Sequence, residues 1–229
     1  MSEQVSVQFK QEFPVFSLPE TLLLPHAVIP ITVTEPRYCQ LANQALDCSG
    51  QVALASVVGS ESTEDTATLR KFVCLGQIVQ HEKIEDGYNL MLYGLCRAEI
   101  IQENPATAKR LYRTVKLRPI ENENEQDEDL EIYRVELMHF MSRPNMERLE
   151  HNKVILDWVS GPDLSTSALF ELIACTVFND SEFRYTLLSE SSSQERCLMV
   201  LKELEKLDRV ISMTDKLSQN HWGKGISLN

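Results

Sequence analysis

Five histidines, His26, His81, His139, His151 and His221, and six cysteines, Cys39, Cys48, Cys74, Cys96, Cys175 and Cys197, are the residues best suited to catalysis or metal binding. A cysteine activated by a histidine is a nucleophile, but here the two residue types stand far apart in sequence, so only the fold could assemble a dyad. Cys39 and Cys96 are the candidates for an unrecognised hydrolase of that kind. No C-x-x-C pair suggests zinc or redox chemistry, and His81-Glu82 is an adjacent pair on opposite-facing strand positions, not an H-E-x-x-H helix. WGKGIS is the nearest approach to a phosphate-binding loop, and it lacks the spacing and a preceding strand. No G-x-S-x-G elbow is present, and 34 acidic residues make chance carboxylate pairs too common to signal acid–base chemistry. These patterns predict no catalytic residue, no cofactor and no metal.

The elements that would have to position any site come next. The chain has 229 residues, 43% apolar and 24% charged, enough for two modest domains around real cores. A formal charge of −12 repels phosphate backbones and anionic lipid, which makes nucleic acid an unfavoured partner and a membrane surface another. The opening MSEQVSVQFKQEF lacks the basic-then-apolar order of a secretion signal, and no segment approaches the roughly 18 apolar residues of a membrane span. With cysteines placed singly and expected mostly as buried thiols, a reducing cytoplasm is the predicted location.

From Phe13 to about Pro119 the pattern is that of short strands. The run from Val28 to Val33 is bounded by Pro25 and Pro36, and QVALASVVGS is apolar at nearly every position, as in a strand buried on both faces. SESTEDTATLRK reads as an exposed loop. Asp86-Gly87 predicts a hairpin turn with positive φ angles, and Gly94 predicts a bulge that bends the second strand, as when a small sheet curls into a barrel. One helix interrupts the strands: Tyr38, Leu41, Ala42 and Ala45 share a face after Pro36, which suits a first helical turn, and Ser49-Gly50 ends it.

Seven acidic residues and no basic one lie between Glu121 and Glu131, a composition that resists burial and marks a boundary. Beyond it the period turns helical: Leu130, Tyr133, Leu137, Met138 and Met141 form one face, and Leu149, Ile155, Trp158 and Val159 a second. Leu169, Leu172, Ile173 and Val177 form a third, and a short helix follows Asn179-Asp180. Ser192 with Glu195 has the capping-box form and opens a last helix through Leu198, Leu201, Leu204 and Ile211. The predicted organisation is an α+β chain: a β domain over 1–120, an acidic linker and helix start over 121–130, a helical bundle over 131–215 and a flexible tail over 216–229.

FPVFSLPETLLLPHAVIPI places Pro14, Pro19, Pro25 and Pro30 among apolar residues, so this stretch must run extended or kinked over other elements. Phe16, Leu22, Leu24 and Ile31 either plug the β domain or line a groove for an apolar peptide, and Tyr38 joins them as a candidate interface residue.

The longer stretch FPVFSLPETLLLPHAVIPITVTEPRY resembles the opening motif of the Lon substrate-binding domain family, also seen at the N-terminus of Lon proteases. The family pattern runs P-L-F-P-L, V-L-F-P-G, then L-P-L-x-I-F-E-P-R-Y. Phe13 to Leu18, Leu22 to His26 and Ile29 to Tyr38 stand in these places, with Glu35-Pro36-Arg37-Tyr38 unchanged. CLGQIVQHEKIEDGYNLMLYGLCRAEII resembles a second family block in which Gly76, Gly87, Gly94 and Arg97 keep their places. The resemblance extends over about residues 13 to 210. It implies a PUA-like β-barrel with one inserted helix, followed by a C-terminal helical bundle, and a non-enzymatic, proteolysis-related module that engages polypeptide substrates or partner proteins. No client and no oligomeric state follow from it.

His26 departs from the family glycine, and Val33-Thr34 from the usual isoleucine–phenylalanine. ATPase and peptidase sequences are not among the 229 residues, so the resemblance is to a stand-alone member. Two other readings stay open: an RNA-binding role, because PUA-like barrels elsewhere bind RNA, and the hydrolase. Glu35, Pro36, Arg37, Gly94 and Arg97 are expected to be structural, with Glu35 capping the helix N-terminus and Arg37 offering its guanidinium to a carboxylate or carbonyls.

Overall fold

The computed structural model of the chain describes residues 7–19, 21–58, 67–121 and 127–222. Most of the loop expected after Gly59, the interior of the acidic segment and the last part of the tail lie outside these residues. The chain divides into two compact units, Met1–Glu123 with Phe178–Ser191, and Asn124–Val177 with Ser192–Asn229.

The first unit holds six strands, β1 Phe13–Ser17, β2 Val28–Val33, β3 Gln51–Ala55, β4 Phe72–Ile84, β5 Gly87–Asn104 and β6 Thr114–Pro119, with α1 Pro36–Leu46 between β2 and β3. Their order is β2-β5-β4-β3-β1-β6, and β6 also pairs with β5, so the pairings from β5 through β4, β3, β1 and β6 return to β5. β5 can do this because it is long: Tyr88 to Tyr93 pairs with β2, and Ala98 to Asn104 with β6. β3 is buried at all five positions, parallel to β1 and antiparallel to β4. Its Ala53 and Ala55 join Phe13, Val15, Leu69, Val73, Leu75, Ala98, Val115 and Leu117 in one apolar core.

Gly94 stands beside a register shift that leaves Leu95 as the extra residue of β5. The reason for glycine is close approach: a Cβ there would lie 2.1 Å from the Leu24 carbonyl oxygen. Gly87 answers to the same rule. Neither Asp86 nor Gly87 takes the positive φ expected from the hairpin pattern, and a Cβ on Gly87 would meet the Val33 carbonyl oxygen at 1.9 Å. Two further bulges push Val79 of β4 and Ile101 of β5 out into solvent.

α1 buries Tyr38, Leu41, Ala42 and Ala45, the expected face, and Pro36 occupies its first turn. Gly50, at φ 70°, turns the chain back so that its N–H reaches the Ala45 carbonyl at 2.8 Å. α5 Ser181–Ser189, capped by Asp180 through the N–H groups of Glu182 and Phe183, belongs to this unit and not to the helices around it in sequence. Arg70 explains why. Its guanidinium forms a two-pronged bond to Glu182 at 2.7 and 2.8 Å and lies 3.4 Å from the centroid of the Tyr185 ring. The Tyr185 hydroxyl in turn accepts the Phe72 N–H at 3.1 Å.

The second unit contains α2 Glu131–Met141, α3 Asn152–Ser160, α4 Thr166–Val177 and α6 Ser193–Trp222. α6 runs as helix to Trp222, into the region expected as tail. Leu130, Leu137, Phe140, Met141, Ile155, Val159, Leu169, Ile173, Val200 and Leu204 are buried, whereas Met138, expected on the same α2 face, is exposed. α4 and α6 are also tied by a buried ion pair, Arg196 to Glu171 at 2.8 Å. Such a pair holds helices in one register but adds little net stability, since both charges give up water.

Candidate functional site

At the corner formed by Glu35 to Tyr38, each side chain turns to a neighbour within the fold. Tyr38 points inward, its ring 5.3 Å from that of Phe16 and its hydroxyl donating to the Ser17 carbonyl at 2.7 Å. Arg37 bonds Glu35 at 2.9 Å through Nε, and its guanidinium sits 4.5 Å from the Tyr38 ring centroid. Glu35 stands at the N-cap position but makes no side-chain cap bond. Its carboxylate faces Arg37 instead, because a charge-assisted bond to a guanidinium outcompetes a partly exposed N–H. Arg97 is 1% exposed and reaches both oxygens of Glu121, at 2.7 and 3.0 Å.

Of the other candidate residues, Phe16, Leu24 and Ile31 are buried with Tyr38, and Leu22 is half-buried. The period-two rule places their neighbours on the opposite side. Along β2, Ile31 and Val33 face inward while Val28, Pro30 and Thr32 face out. Register extends this outer row to β5, because Val28 pairs with Tyr93, Pro30 with Met91 and Thr32 with Asn89. Thr32 and Asn89 confirm the shared face by a 2.9 Å hydrogen bond. On β4, Gln77 pairs with Tyr93 and Gln80 with Met91. Val28, Pro30, Met91 and Tyr93 therefore form an apolar strip, bordered by Thr32 and Asn89 at one end and by glutamines along one side. Val28 is 48% exposed.

His26 closes the other end of the strip. Its Nδ1 shares a 3.3 Å hydrogen bond with the Tyr93 hydroxyl, and its N–H donates to the Gly94 carbonyl at 2.8 Å. Its φ of 65° is the one positive value held by a non-glycine residue among those described. That conformation suits glycine, and a histidine there carries strain. Pro30 also shapes the site. Among described residues β2 pairs only with β5, and a proline in such an edge strand removes a donor that an added strand would need.

The remaining nucleophile candidates sit in unhelpful surroundings. Burial, reinforced by the Glu121 carboxylate and opposed by Arg97, pushes the Cys96 thiol up to about 11. The Cys39 thiol lies 3.8 Å from the Val33 and Asp86 carbonyl oxygens. None of the six cysteines forms a disulfide, but only Cys74 and Cys197 are buried, and Cys48 is exposed. Among the described residues no group of three histidine, cysteine or acidic side chains could hold a metal ion, and no helix is long and apolar enough to cross a membrane.

Among the described residues, six strands and six α-helices make this a mixed α+β protein. The chain matches the ATP-dependent protease La (LON) substrate-binding domain over residues 12–206, and it belongs to that family. It is similar in structure to the N-terminal domain of a Mycobacterium avium complex Lon protease, with TM-score 0.66 and 18% identity over 85% of this chain and 98% of the other. A Lon N-terminal domain protein from Xanthomonas campestris is also similar, with TM-score 0.56 and 18% identity over 84% and 98% of the two chains. No curated protein matches the chain.

Proposed function

We propose that this chain is a non-enzymatic polypeptide-binding module and that the strip of Val28, Pro30, Met91 and Tyr93 is where an apolar segment of a substrate or partner protein docks. The family supports the class of partner. The observation that carries the location is the register of β2 on β5, which sets four apolar side chains side by side on a face turned to water. The cycle of pairings from β5 back to β5 supports reading the first unit as the PUA-like barrel, and the four long helices of the second as its accompanying bundle.

The physical account is simple. A segment laid across the strip buries Val28 and Met91, and each apolar side chain removed from water contributes up to about 1.5 to 3 kcal/mol. The Tyr93 hydroxyl, the Gln80 amide and Asn89 rim the strip and can bond the segment's backbone. Phe16, Leu24, Ile31 and Tyr38 are buried and act in packing, Ile31 on the inward face of β2 beneath the strip. A thiol at about 11 stays protonated at neutral pH, which supports a role without Cys96 catalysis.

The test is binding of a fluorescently labelled, reduced and alkylated model protein, which exposes apolar segments. Val28→Ser with Met91→Ser should weaken binding roughly tenfold or more without lowering the melting temperature appreciably. Unchanged affinity in the folded double variant would remove the strip from the account, and tight, salt-sensitive binding of RNA instead would replace the protein partner.

A further inference from the structure

The second unit carries a groove of its own, partly apolar and about 700 Å³ in volume, between α2 and the turn that joins α3 to α4. Its walls are Val135, Met138 and His139 on one side and Val159 to Pro162, Leu164 and Ser165 on the other. Ile132 extends the α2 side by one helical turn, so Ile132, Val135 and Met138 make a second apolar stripe that points away from the buried face of the same helix. Ile132 is 70% and Val135 50% exposed.

Arg134 fixes the opposite wall. Its guanidinium donates to the carbonyls of Trp158, Val159, Gly161 and Leu164, at 3.2, 2.9, 2.5 and 2.8 Å. Those bonds satisfy the carbonyls at the end of α3 and hold the turn as a preformed wall. They also direct the one arginine of the groove at backbone oxygens. Beside the His139 imidazole, the Glu131 carboxylate lines the groove, and the exposed carboxylates of Glu136 and Asp163 adjoin lining residues on the same two elements. An apolar floor with a carboxylate rim is complementary to an apolar ligand that carries positive charge.

We infer that this groove receives an amphipathic, lysine- or arginine-bearing helical segment of a partner protein, its apolar stripe on Ile132, Val135 and Met138 and its cations on Glu131, Glu136 and Asp163. The groove lies wholly within the second unit and needs no part of the strip on β2 and β5. It would let the chain hold a specific basic partner while the strip engages apolar segments.

The experiment uses the full chain and a fluorescein-labelled 14-residue leucine–lysine peptide that forms an amphipathic helix, with the leucine–glutamate peptide as its charge-reversed counterpart. Fluorescence anisotropy should show binding of the lysine peptide alone, weakened roughly tenfold or more by Val135→Ser with Met138→Ser. Val154→Ser, exposed on α3 outside the groove, and Val28→Ser with Met91→Ser should leave it unchanged. Equal binding of the glutamate peptide overturns the charge argument. Unchanged affinity in Val135→Ser with Met138→Ser, or loss in the β2–β5 variant, overturns the location, and no binding of either peptide overturns the proposal.

Discussion

His26 is the residue where local cost and position are most informative. A left-handed backbone costs a side-chain-bearing residue about 1 to 2 kcal/mol, and histidine recovers part of that through Tyr93. Alanine would keep the backbone cost and lose the bond, whereas glycine removes the cost. His26→Gly should therefore be more stable than His26→Ala by about 1 kcal/mol, read by urea titration of the two variants. Equal midpoints would mean that the turn relaxes out of the left-handed region. The departure from the family's glycine was visible in the sequence, but its partner was not, because Tyr93 is distant along the chain. Glu35 shows the opposite failure. Its type and place fit a cap, yet Arg37 two residues away takes the carboxylate, a competition that sequence spacing leaves undecided.

At the scale of elements, α5 is held to β4 by side chains more than a hundred positions apart, which is why its pattern could not reveal that it belongs with the strands. Arg70 holds the Glu182 carboxyl below its usual value of 4.5, and Glu182 in turn raises Arg70. A lowered carboxyl contributes its stabilisation fully above the unfolded value and loses it as pH falls through the folded one. The clamp should thus be intact at neutral pH and released only as pH falls through the lowered folded value, below the ordinary 4.5. Hydrogen exchange of the α5 amides should rise there, and Arg70→Ala should produce the same rise at pH 7. Exchange of α5 that ignores both changes would show that Tyr185 and the apolar contacts hold the helix without the ion pair. α1 was legible throughout, because Pro36, four inward residues and Gly50 all act within one short stretch. α2 was not: it carries two apolar stripes, and Met138 was assigned to the buried one while the fold gives that place to Phe140.

On the scale of the whole molecule, the sequence announced the family through a few residues whose necessity is now physical. Gly87 and Gly94 admit the carbonyls of Val33 and Leu24, Tyr38 anchors β1, and Arg97 is buried against Glu121. In this chain these contacts hold together a fold that is similar to Lon N-terminal domains at 18% identity. The strip was half legible. Alternation marks Val28 and Pro30 as outward, but their alignment with Tyr93 and Met91 depends on strand register, which no local pattern fixes. The central claim is that this strip is the surface an apolar polypeptide segment touches. Its most direct test is a methyl NMR map of the full chain during titration with the reduced, alkylated model protein. The Val28 and Met91 methyl signals should shift together and saturate with the binding curve, while those of buried Leu24 and Ile31 change little. Saturable binding that leaves Val28 and Met91 unmoved would contradict the account.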